Sequence, residues 1–260
     1  MMNRIYQTIS YLFCVTMILS VAQAQSPLSR AKPVLTLKIQ QSGGTNGSSV
    51  AYDPSKGIYY TVIAGNAVFP FEAFDKKGNP QGSAEAGFDM RGIWMNGSTL
   101  EGNGPGESGW VTFDLTSAGK PTGQTRLIVE EQLQPEWQSV GTFDPKKKEV
   151  IYYSDGIISI YSRKKLSYSR TITLNGNSDF STSNINSTSV GFTGKKGYEY
   201  ALLDYNDYKV LYFNKKGNQT GSTTLPAEAS VNDAFRFAFA NSLLWLYDVN
   251  TRSWTGYQVF

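Results

Sequence analysis

The chain of 260 residues contains no histidine and one cysteine, Cys14, which lies close to its N-terminus. These absences exclude Ser-His-Asp and Cys-His nucleophile systems, as well as zinc sites built on His or Cys. A lone cysteine also forms no disulfide within the chain. Any chemistry must therefore rest on carboxylates, Lys, Arg, Tyr, Ser or an oxygen-bound cation. Long apolar runs are missing too. Residues 11–21 are apolar but too few to cross a bilayer, and no later segment is apolar enough, so no membrane span is expected. Neither sign of charge dominates: 24 Lys and Arg face 21 Asp and Glu. That balance argues against a general nucleic-acid binder.

Arg4, the apolar run and the small-x-small triplet Ala22-Gln23-Ala24 read as a cleaved secretory signal over residues 1–24. The mature protein is then expected to be secreted or periplasmic, and a monomer. Residues 25–32 read as a short linker and 33–260 as a single β domain.

Gly, Asn, Ser and Thr abound, and aromatics make up 13% of the chain. This is a composition of strands and turns. A short pattern recurs. Ser49-Val50-Ala51-Tyr52-Asp53-Pro54 returns as Ser139-Val140-Gly141-Thr142-Phe143-Asp144-Pro145, and in part as Ser189-Val190-Gly191-Phe192. Inner-strand anchors fall at Val50, Ile93, Val140, Val190 and Phe237, about 45 residues apart, which is the period of a β-propeller. An aromatic follows each anchor: Tyr52, Trp94, Phe143, Phe192 and Phe239. A hairpin turn also repeats, Phe74-Asp75-Lys76-Lys77-Gly78-Asn79 matching Phe213-Asn214-Lys215-Lys216-Gly217-Asn218. The expected fold is all-β: a propeller of five four-stranded blades. The last blade runs out of chain after three strands. The spare strand at residues 34–39 is expected to pair with residues 254–260 and close the ring.

These repeats resemble the lactonase-like, NHL-like and YVTN-like propellers, whose blades carry an inner strand, Asp-Pro and then an aromatic strand, as in Asp53-Pro54-Ser55-Lys56-Gly57-Ile58-Tyr59-Tyr60. The resemblance implies architecture; function must come from a site. Asp53-Pro54 with Tyr59-Tyr60 is also similar to the catalytic Asp of arabinanase-like glycosidases. However, Asp144-Pro145 with Tyr152-Tyr153 repeats it, and a turn residue recurs where a catalytic one should not.

Four residues before each anchor stands an oxygen donor: Asn46, Asp89, Glu136, Asn186 and Asp233. Converging at one channel mouth, they could hold Ca²⁺, as in lactonase-like propellers, or could simply shape turns. Trp137 beside Glu136, with Asp89, suggests a ligand site at the same mouth. The Gly-rich stretch 101–107 would overhang it. Lysine-rich turns, among them Lys76-Lys77, Lys146-Lys147-Lys148 and Lys215-Lys216, fall on the opposite face, while acids including Glu101, Glu130 and Glu131 fall on the first. The expected function is a binding or interaction module for a protein or glycan ligand. The alternative is a Ca²⁺-assisted lactonase-like hydrolase or a carboxylate-pair glycosidase.

Overall fold

The computed structural model describes residues 28, 30–65, 69–176, 180 and 184–260. The expected signal, residues 1–24, lies outside them. The described residues form twenty strands in five four-stranded antiparallel sheets. Strand β1 (Lys32–Lys38) comes first. Blade 1 contains β2 (Asn46–Asp53), β3 (Ile58–Ala64), β4 (Pro70–Asp75) and β5 (Pro80–Glu85). Blade 2 contains β6 (Ile93–Asn96), β7 (Thr99–Asn103), β8 (Trp110–Leu115) and β9 (Pro121–Val129). Blade 3 has β10 (Thr142–Asp144), β11 (Glu149–Ser154), β12 (Ile157–Ser162) and β13 (Ser167–Thr173). Blade 4 has β14 (Gly191–Phe192), β15 (Tyr200–Asp204), β16 (Lys209–Phe213) and β17 (Gln219–Thr224). Blade 5 has β18 (Phe237–Ala240), β19 (Leu243–Asp248) and β20 (Ser253–Gln258), and takes β1 as its outer strand. The inner strands touch in cyclic order β2, β6, β10, β14, β18 and back to β2.

The second strands read as unbroken apolar runs because both their faces are covered by neighbouring blades. IYYTVIA in β3 is buried at every position, and YALLD in β15 likewise. The core is accordingly divided into five clusters, one in each gap between blades. Outer strands face water and alternate, as in β13.

Closure follows the sequence expectation. Pairing runs from Lys32 opposite Gln258 to Lys38 opposite Ser253. Leu37 is fully buried in the gap between blades 5 and 1, beside Trp245, Tyr247 and Trp254. The chain leaving β1 is then fastened to blade 1. Glu72 of β4 accepts the backbone N–H groups of Gln40 (3.0 Å) and Gln41 (2.8 Å). Arg252 donates to the carbonyls of Gln41, Gly43 and Gly44 at 2.7 to 2.9 Å. Ahead of β1, the N–H groups of Leu28 and Ala31 donate to Ser222 and Thr224 on the edge of blade 4.

The repeated Lys-Lys-Gly turn owes its recurrence to packing. Gly78 and Gly217 have φ of 84° and 83°. A Cβ on Gly78 would lie 2.3 Å from the carbonyl oxygen of Thr36 in β1, and one on Gly217 would lie 2.2 Å from that of Thr173 in β13. Each turn thus presses its glycine against the outer strand of the preceding blade. The Asp-Pro turns are equally local. Asp53 Oδ1 accepts the N–H and hydroxyl of Ser55, and Asp144 Oδ1 accepts the N–H groups of Lys146 and Lys147. One strand departs from expectation: Glu101, Gly102 and Asn103 belong to β7, not to an overhanging loop. Asn103 Oδ1 accepts the N–H groups of Gly92 and Gly141, tying blade 2 to blade 3.

Truncation of residues 28–38 should lower the melting temperature far more than any single substitution, because it uncovers a whole gap. Leu37→Ala alone should cost about 3 kcal/mol, a fall of about 9 °C in a thermal melt. A truncated chain that melts with the full-length protein would refute the closure argument. Burial holds the Glu72 carboxyl above its ordinary value, against the Gln41 and Gln40 amides and Arg252. The folded state therefore holds this proton more tightly than the unfolded chain. Its contribution is fully present below the unfolded value and is lost as pH climbs through the raised folded one. Glu72→Gln should flatten the pH dependence of the urea midpoint across that window.

Candidate functional site

The channel has two unlike ends. At the end where the inner strands begin stand the five oxygen donors read from the sequence. Asn46 Oδ1 accepts from Arg236 Nη2 (2.6 Å) and Nε (3.2 Å). Asp89 pairs with Arg91 at 2.9 Å. Asn186 is fully buried. Its Oδ1 accepts the N–H groups of Thr188 and Ser189, and its Nδ2 donates to the carbonyls of Asn232 and Phe235. Glu136 and Asp233 are exposed, and the Asp233 carbonyl accepts the N–H of Ser187 at 2.7 Å. Among the described residues no three carboxylates gather where they would hold a metal ion.

Arginine takes the central place at this end. Arg91 is buried, reaches Gln138 Oε1 of the next blade at 2.6 Å, and lies 5.2 Å from the ring of Phe235, which precedes β18. It joins blades 2, 3 and 5 across the channel. Trp137 is 55% exposed on the same face. It lies against Gly106, where an added Cβ would meet its ring at 2.4 Å, and its carbonyl accepts the Gly106 N–H.

At the other end, where the inner strands finish, a cavity of about 660 Å³ opens. All five sequence anchors, Val50, Ile93, Val140, Val190 and Phe237, line it, and so do all five following aromatics. Each aromatic serves two purposes. Trp94 and Phe143 are buried in the gap between blades 2 and 3, Tyr52 packs between blades 5 and 1, Phe192 between 3 and 4, and Phe239 between 4 and 5. Tyr52, Phe192 and Phe239 remain half-exposed. The wall is thus made of rings held rigid by the core. Polar groups sit at the rim: Lys146 and Lys147 from the β10–β11 turn, Lys215 from the β16–β17 turn, and Asp144 and Glu199. Glu199 is buried and Oε2 accepts the N–H of Gly197 at 3.1 Å.

Behind the wall, Glu101 is 2% exposed and paired with Arg163 through both oxygens, at 2.8 and 3.0 Å. It also accepts from Trp94 Nε1 (3.2 Å) and Asn96 Nδ2 (3.0 Å). The strand spacing of the sequence predicts Glu101 on the acidic face. Its place opposite Trp94 in the β6–β7 pairing puts it instead behind the wall of the lysine-rimmed end. The aromatic after each anchor is visible in the sequence; the arginines that occupy the first mouth carry no repeat signal there, although Arg91 follows Asp89 by two positions.

No protein-family model matches the chain, and no curated protein matches it. Among solved structures, the glutaminyl cyclase of Myxococcus xanthus superposes with a TM-score of 0.59 and 10% sequence identity, over 89% of this chain and 97% of that one. At this identity the likeness is one of β-propeller fold.

Glu101→Ala leaves Arg163 and the Trp94 indole without their acceptor. A loss of about 3 kcal/mol is expected in urea unfolding, with a shift in tryptophan emission. Glu101→Gln, which keeps an acceptor oxygen, should lose less. An unchanged midpoint in the alanine variant would show that this cluster does not hold the wall.

Proposed function

We propose that the protein is an exported binding module whose ligand enters the aromatic end of the channel. The observation that carries this is the convergence of five ring-bearing inner strands on one cavity of about 660 Å³. Its size, apolar lining and few polar groups are those of a small-molecule site. The opposite mouth, where the sequence suggests a ligand on Trp137, Asp89 and Glu136 and allows either a Ca²⁺ ion or simple turn formation, is assigned a structural role. There the guanidinium groups of Arg91 and Arg236 supply the positive charge a cation would bring. No calcium-dependent rise in melting temperature is expected.

The test uses 2-naphthol, a neutral probe that fits a ring-lined cavity. Calorimetric titration should give saturable binding at one site. Phe192→Ala and Phe239→Ala should each weaken it about tenfold, the loss of part of one buried ring face. Trp137→Ala should leave it unchanged. Loss of binding in Trp137→Ala alone would move the site to the opposite mouth.

A second reading is enzymatic, and Glu199 favours it: a buried carboxylate that lines the cavity. Asp144, the other acid there, spends Oδ1 on its own turn. A glycosidase needs two carboxyl groups flanking the bond, and a lactonase-like site needs several oxygens on one cation. Glu199 alone would suit a single proton transfer, for which a peptide with N-terminal glutamine is a suitable probe, since the similar solved structure is a glutaminyl cyclase. Ammonia release that disappears in Glu199→Gln would establish this reading over simple binding.

A further inference from the structure

We infer that the cavity selects an amphipathic anion: a flat apolar body in the channel and a carboxylate, sulfonate or sulfate held at the rim between blades 3 and 4. This rests on the cavity being the ligand site.

The rim carries the argument. Lys146, Lys147 and Lys215 line the opening, and among the described residues none of them forms an ion pair. They come from two blades. Lys147 and Lys215 both act on Glu149 of β11, whose carboxyl is held below its ordinary value first by Arg170 and then by these two lysines. Glu149 is already saturated by Arg170, in a two-pronged pair at 2.7 and 2.9 Å. This sector therefore has more positive charge than its own acids neutralise.

The two acids of the cavity do not reverse that balance. Asp144 accepts the N–H groups of Lys146 and Lys147, and Glu199 accepts that of Gly197, so both are partly neutralised by backbone dipoles. Aromatic rings could also cage a cation. Here, however, a lysine already faces one of the lining rings, Phe143, and a second faces Phe260, outside the lining. Lys195 Nζ stands 3.8 Å from the ring centre of Phe260, and Lys148 Nζ 5.9 Å from that of Phe143. A cationic ligand would enter against several ammonium groups, whereas an anion is drawn in by them.

Three probes that share one ring system separate charge from fit: 2-naphthoate, 2-naphthol and 2-naphthylmethylammonium, each titrated calorimetrically at low and high salt. Naphthoate should bind about tenfold more tightly than naphthol, and the ammonium compound most weakly. High salt should erase most of the difference. The double variant Lys147→Glu with Lys215→Glu should abolish the preference for naphthoate over naphthol. Both lysines are exposed, so folding should persist, and the melting curve checks it. Lys164→Glu with Lys165→Glu, which reverses charge elsewhere on that face, should keep the preference. Equal affinities for naphthoate and naphthol, tightest binding of the ammonium compound, or an equal effect from the second pair would overturn the inference while leaving the cavity as the site. If none of the three probes binds, the cavity reading falls as well.

Discussion

Each blade is a sheet with two apolar faces, and neither face can be covered by the blade that owns it. Five gaps must therefore be filled at once, and a ring that fails to meet itself leaves two faces and two edges open to water. One strand meets that constraint here. Pairing of β1 with β20 completes blade 5 and sets Leu37 into the last gap. Glu72 and Arg252 then pin the chain that follows. Even the Gly78 turn is shaped by the result, since its close approach is to the carbonyl of Thr36 in the closing strand.

The same closure brings five inner strands around one axis, and the ends of that axis diverge because different residues terminate the strands. Where the strands begin, arginines bridge blades and turn nearby oxygens inward upon themselves. Where they finish, aromatics from the gaps reach the channel and lysine turns of blades 3 and 4 flank the opening. A chain of nearly balanced charge thus has a polar plug at one end and an apolar bowl at the other.

Most of the architecture was legible because the repeat copies turns as well as strands. Asp53-Pro54 and Asp144-Pro145 recur since the same side-chain oxygen closes the same turn, and Lys-Lys-Gly recurs since the same glycine meets a neighbouring carbonyl. Blade 2 was harder to read. Gly102 and Asn103 look like loop residues, yet β7 needs them: a Cβ at Gly102 would stand 2.5 Å from the carbonyl of Gly92, and Asn103 holds two amides across a blade boundary. The ring of oxygen donors was legible as residue types. Its partners were not, because Arg236 meets Asn46 only when the chain's two halves are joined. The site itself was half visible. The aromatic at each inner strand could be seen, but which end of the channel it opened on depends on how deep the rings sit in the gaps, a tertiary quantity.

The strand that completes the ring is among the first described segments to be synthesised, while its partner β20 is among the last. Until then Leu37 and its neighbours have only the blade 1 side of their gap to pack against. Blades 1 to 4 can form as local meanders in the order they are made, but the final contact joins positions at opposite ends of the chain, the kind of long-range pairing that slows folding. The nascent protein must therefore carry an unpaired, partly apolar strand until β20 has been made. That interval, rather than the finished ring, is when it is most exposed to mispairing with another copy of itself.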